Sequence, residues 1–151
     1  MKFKTIIPVL ILGIGFASAC SNADVVQTDH AKSDVPVAGE GYDTVAYFAA
    51  DSATKGSQQF AFFWRGANWL FSNRENLKKF KSDPARFAPQ FGSFCPVSLS
   101  NGGTDKGNPR FWKIVDDKLY FFNTEAFRDQ FEKDRERILK KAAENYKPED
   151  E

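Results

Sequence analysis

Two stretches of this chain carry the same order of hydrophobic and polar positions. Residues Phe62 to Leu77 can be laid on Trp112 to Phe127 at a constant shift of 50. Each reads as strand, tight turn, strand and helix. Aromatic and β-branched runs flank polar turns at residues 65–68 and at Asp116-Asp117, which is the pattern of a hairpin. Ser72 and Glu75 then have capping-box spacing, and Asn123 or Thr124 is placed to cap the second helix. Leu77 with Phe80, and Phe127 with Phe131, mark one apolar face on each helix. One inserted residue sets Asp83 opposite Asp134, and Asp83-Pro84 opens a further helical turn through Phe87. Ile138, Leu139, Ala142, Ala143 and Tyr146 form the apolar stripe of a closing helix.

The expected fold class is therefore α+β: a small antiparallel sheet built from two ββα halves, helices packed on one face, and a C-terminal helix. Two explanations fit the likeness of the halves, an internal repeat and a shared aromatic bias. Ahead of them, Tyr42 to Phe48 reads as a short extended segment around Val45 and Tyr47. Between them, residues 90–110 break all periodicity and hold Cys95, Pro96, Gly102, Gly103, Gly107 and Pro109. Irregular segments on a rigid scaffold are where binding chemistry collects.

The N-terminus has a different character. Lys2 and Lys4 precede an uncharged apolar run from Ile6 to Ala19 with small residues at its end, the order of parts in an export signal. Its 14 residues fall short of the ~20 that a spanning helix needs. Residues 1–19 are thus expected to be a signal peptide. Ala17-Ser18-Ala19-Cys20 admits two cleavages. As a lipobox it makes Cys20 an acylated N-terminus, and as Ala-x-Ala it releases the chain. The polar run that follows suits a tether, so lipidation at Cys20 is the expectation. Ser21 after that cysteine resembles an outer-membrane address, which places the protein at the periplasmic face of the envelope. Residues 20–39 read as a flexible polar tether, 40–147 as one domain and 148–151 as a fraying tail.

Composition narrows the function further. Without Lys2 and Lys4 the chain carries 19 basic against 20 acidic side chains, which argues against a nucleic-acid partner. Of the 23 aromatic residues, 21 lie between positions 40 and 146, enough ring surface for a dense core. The two cysteines, Cys20 and Cys95, either pair with each other or not at all.

The segment Gly41-Tyr42-Asp43-Thr44-Val45-Ala46-Tyr47-Phe48 resembles the opening signature of secreted YHS-domain proteins. The likeness continues through residues 66–72, 75–77, Phe80, Asp83-Pro84, 88–92 and Cys95 to residues 112–115 and 118–120. The resemblance implies a small domain often described as metal-binding, with no settled activity in its exported branch. The cysteines that accompany the aromatic strand in the metal-binding type are absent here, where residues 71–76 contain neither Cys nor His. A transition metal such as copper, held through Cys95, stays open as a cofactor.

Zinc is disfavoured, since a closed site wants about four ligands and the only histidine, His30, lies in the tether. Three roles remain for Cys95: a buried structural thiol, a ligand or redox chemistry. A hydrolase nucleophile would need a base, and the domain has no histidine. Asp43 reads as a turn or capping residue before a general base. The tryptophans Trp64, Trp69 and Trp112 read as core rings before stacking platforms. The expectation is a non-enzymatic accessory protein that binds a small ligand or metal, with Tyr42, Asp43 and Cys95 as site residues and a lipid anchor in the membrane. The alternatives are a protein-interaction module and a thiol-dependent redox protein.

Overall fold

A computed structural model describes residues 31–148. The signal segment, Cys20, His30 and most of the tail lie outside the described residues. The elements run α1 (Thr44–Ala50), β1 (Ser57–Trp64), β2 (Ala67–Phe71), α2 (Arg74–Ser82), α3 (Pro84–Phe87), α4 (Pro96–Ser100), β3 (Asn108–Val115), β4 (Lys118–Phe122), α5 (Glu125–Lys133) and α6 (Arg135–Asn145). A 3-10 turn precedes α1 at Ala38–Gly41, and another precedes α4 at Gln90–Ser93. The α+β class, the two hairpin-helix halves and the C-terminal helix are as expected. The hairpins do not join edge to edge, however. Each is a separate two-stranded antiparallel sheet, and the halves meet instead where α1 packs on the second hairpin.

The two halves repeat each other throughout. Arg65 with Gly66, and Asp116 with Asp117, all have positive φ, as type I′ hairpin turns require. Both hairpins carry an irregularity in the same place, between Ser57 and Ala61 and between Asn108 and Trp112. Asn73 and Thr124 cap α2 and α5 through their side chains. The correspondence extends upstream of the hairpins. Gly39 (φ 53°, ψ 34°) and Glu40 (φ 51°, ψ 25°) match Phe91 (φ 55°, ψ 34°) and Gly92 (φ 57°, ψ 31°) in left-handed backbone. Asp43 N donates to Thr54 O at 2.8 Å, and Cys95 N to Asp105 O at 2.9 Å. An aromatic bias alone does not reproduce left-handed residues and backbone bonds, so the likeness is a structural repeat.

Its register is 51 residues from strand to helix, not 50: Ser57 aligns with Asn108, Phe71 with Phe122, and Phe80 with Phe131. No inserted residue is then needed at Asp83 and Asp134. A one-residue slip exchanges the two faces of a strand, so the corrected register decides which side chains correspond.

Two expected segments differ. Tyr42 to Phe48 is not extended; its last five residues begin α1, because the Asp43 carboxylate caps the backbone N–H groups of Val45 and Ala46. Val45 and Tyr47 are both buried because α1 is enclosed on two sides, by the first-half core and by the second hairpin. Residues 90–110 are likewise ordered, with a 3-10 turn, α4 opening on Pro96, and the start of β3.

The tether also ends earlier than Gly39. Lys32 N donates to Asn68 Oδ1 at 2.9 Å, and Asn68 Nδ2 returns a bond to Lys32 O at 2.7 Å. Asn68 N donates to Pro36 O at 2.8 Å. A buried amide in β2 thus clasps the incoming backbone as a neighbouring strand would.

Three apolar clusters make the core. Val45, Trp69, Phe71, Leu77 and Phe80 fill the first half. Cys95, Val97, Phe122, Phe131 and Ile138 fill the second. Tyr42, Tyr47, Leu119 and Phe121 join the halves, with Tyr47 edge-on to Trp112 at 4.9 Å. Strand β4 therefore has both faces covered, which a continuous apolar run from Leu119 to Phe122 anticipates.

Candidate binding cleft

Of the three residues expected to form a site, Tyr42 and Asp43 are chain neighbours, whereas Cys95 belongs to a different core cluster from Tyr42. Asp43 is wholly buried and fully engaged. Its Oδ1 accepts from Val45 N (3.0 Å) and Ala46 N (3.2 Å). Its Oδ2 accepts from Ser72 N (2.8 Å), Ser72 Oγ (2.6 Å) and Asn76 Nδ2 (2.7 Å). Five donors on one carboxylate tie α1 to the β2–α2 junction and leave no lone pair for a substrate. Tyr42 lies under Lys55, whose Nζ is 3.9 Å from the ring centre, and its hydroxyl accepts from Arg110 Nε at 3.2 Å.

Cys95 stands at Asp43's place in the second half, as the N-cap residue of α4. It is inaccessible to solvent and packed among Val97, Phe122 and Phe131. The counterpart of Asn76 is Phe127, which packs against the same cluster. A polar network in one half is thus replaced by an apolar one in the other. Among the described residues no group of three or more His, Cys, Asp or Glu is placed to hold a metal ion. The transition metal that the family resemblance implies does not fit the described residues, since Cys95 is fully buried and belongs to no cluster of ligating side chains among them.

A cleft of about 540 Å³ does open between the halves. Trp64, Trp69, Phe94 and Tyr146 contribute rings to it, while Glu40, Arg65 and Lys106 supply charge. Trp64 and Trp69 meet edge-on at 5.5 Å, and Trp69 Nε1 donates to Trp64 O at 3.0 Å. The Trp69 indole is therefore already satisfied. Lys106 holds its ammonium 3.5 Å from the centre of the Phe94 ring, and Arg65 stacks on Trp64 at 4.6 Å. The segment of residues 90–110 borders this cleft through Gly92, Ser93, Phe94, Lys106 and Gly107, but Cys95, Tyr42 and Asp43 do not line it. A second, shallower depression of about 460 Å³ lies over Trp112 and Ile114. Four of its five charged residues are paired with each other or with a neighbouring helix residue: Lys113 with Glu132 (3.0 Å), and Arg128 with Glu125 (2.8 Å) and Asp129 (3.5 Å).

The repeat explains why the first cleft exists. Val115 and Tyr120, the counterparts of Trp64 and Trp69, are buried, with Phe91 and Leu139 packed against their cluster. Phe91 lies 6.1 Å from the Tyr120 ring. The matching positions in the first half are Gly39 and Ala88, and both line the cleft. Two covering side chains are missing where the two indoles lie. The signal for this site was available only by aligning the halves at 51 to 52 residues and reading small against large.

Comparison with known protein families, with characterised proteins and with solved structures returns no match. No helix among the described residues is long and apolar enough to cross a membrane.

Proposed function

We propose that this chain is an exported, YHS-like accessory protein of the bacterial envelope that binds a small ligand without transforming it. Acylation of Cys20 would hold it at the periplasmic face of the outer membrane. The observation that carries the binding reading is the ring-walled cleft between two otherwise tightly packed halves. Concave, mostly apolar pockets of this size are the usual form of small-molecule sites.

Catalysis has less support. Residues 31–148 contain no histidine, the Asp43 carboxylate is committed to five donors, and a nucleophile with no adjacent base is weak. The metal and redox readings both depend on Cys95, whose burial argues for a packing role. The test uses N-phenyl-1-naphthylamine, a neutral fluorescent ring compound, titrated into the mature protein. One site is expected, lost in Ala88→Leu, which restores the side chain of the second half. Equal binding by that variant, or no saturable binding, overturns the cleft reading. Alkylation of native Cys95 is expected to be slow, and fast labelling would reopen the ligand and redox roles.

A further inference from the structure

We infer that the cleft takes a flat, ring-bearing carboxylate, an inference that rests on the cleft being a binding site at all. The second half supplies the argument for the ring. There, the space against Tyr120 is filled by the phenyl group of Phe91, held on left-handed backbone. In the first half the same backbone position is Gly39, with the same φ and ψ, and the aromatic partner is the larger Trp69. A planar guest replaces the ring that Phe91 provides in the copy. The Trp69 N–H already has its acceptor, so that wall rewards contact area and not a hydroxyl-rich guest such as a sugar.

The carboxylate follows from Lys106. Its counterpart, Lys55, lies over Tyr42 in the same way, but its ammonium is also anchored on Glu40 O at 2.7 Å. Lys106 has the ring contact with Phe94, and no carboxylate or carbonyl partner for its Nζ among the described residues. The ammonium of this cleft-lining residue is therefore held by the ring beneath it with donors to spare. An anionic group at that mouth gains a charge-assisted bond that a neutral amide cannot match. Arg65, on the Trp64 face, adds positive potential on the same rim, opposed by Glu40.

The experiment compares 1-naphthylacetate with its neutral isostere 1-naphthylacetamide, by tryptophan fluorescence and calorimetry on the mature protein. The acid is expected to bind about fivefold more tightly at low salt, as a half-exposed charge-assisted bond warrants. Lys106→Gln, an exposed substitution, should bring the two probes within about twofold of each other. Equal affinities in the parent protein, or a preference that survives Lys106→Gln, overturn the carboxylate assignment and leave the cleft standing. If neither probe binds, the cleft reading fails and the assignment fails with it.

Discussion

Replacing Asp43 by Asn isolates what the buried carboxylate contributes, because the volume barely changes and Asn is itself a good helix cap. The amide oxygen can take the Oδ1 position and keep the bonds from Val45 N and Ala46 N. The NH₂ group then faces three donors: Ser72 N, Ser72 Oγ and Asn76 Nδ2. The Ser72 hydroxyl can rotate to accept from it, but Ser72 N–H is left without an acceptor and Asn76 Nδ2 keeps only its longer bond to Ser72 Oγ at 3.4 Å. Each unsatisfied buried donor costs about 1–3 kcal/mol, so one orphaned donor and one weakened bond should together cost about 2–4 kcal/mol, a large share of the 5–15 typical of a domain. Urea unfolding, followed by tryptophan fluorescence and circular dichroism, measures it as a fall in midpoint at constant m. Asn73→Ala, which deletes a single exposed cap, serves as the reference at about 1 kcal/mol. An Asp43→Asn loss no larger than that of Asn73→Ala would refute the network as a stabilising junction.

Two further predictions follow from the same geometry. A methyl group on Gly56 would overlap the backbone of Leu70, and one on Gly107 the backbone of Phe121. Gly56→Ala and Gly107→Ala should therefore each lower the melting temperature sharply and by similar amounts, whereas Gly66→Ala, with open space around it, should cost far less. A mild effect at either of the first two positions counts against the repeat. The alkaline limb of stability should be steep. Burial pushes the ionisation of Tyr47, whose hydroxyl donates to Pro109 O at 2.8 Å, well above the usual tyrosine value of 10.0. Burial, and then Asp116, raise that of Tyr120. Both protons leave the unfolded chain at lower pH than the folded one, so their contribution is whole below pH 10 and is lost as pH rises from there toward the folded-state values. Urea midpoints measured from pH 8 to 11 should show Tyr47→Phe flattening that decline, and an unchanged slope would contradict it.

Much of the fold was legible because hairpins and amphipathic helices declare themselves locally. The turn residues, the cap at Thr124 and the Phe80 and Phe131 anchors are all short-range signals, whereas the first helix is capped by Asn73 and not by the expected Ser72, whose hydroxyl is drawn to Asp43. The register was not, because matching aromatic to aromatic draws Phe62 onto Trp112, whereas its structural partner is Lys113. Glycine would have been the better guide: Lys55-Gly56 and Lys106-Gly107 sit 51 residues apart, fixed by backbone contacts that no other residue allows. Tyr42 to Phe48 was misread for a related reason. Alternating apolar residues imply a strand only if one face meets solvent, and α1 has apolar neighbours on both sides. The cleft was hardest to see, since it consists of two side chains that are not there.

The repeat also changes what Cys95 means. Under the proposed export Cys95 invites a ligand or a redox partner, because an accessible thiol in an oxidising compartment is at risk. Its counterpart, however, is a carboxylate whose task is to join α1 to the next helix. The second half performs the same joining with apolar contacts, in which Phe127 takes the place of Asn76 and the thiol takes the place of the carboxylate. A thiol suits that position better than an acid would, since the side-chain amide of Asn76 that serves Asp43 is replaced there by the ring of Phe127, and a buried charge short of partners is costly. The cysteine is then accounted for by its place in the repeat, and the chemistry left to assign lies where the two halves differ in volume, at the indoles beneath Gly39 and Ala88.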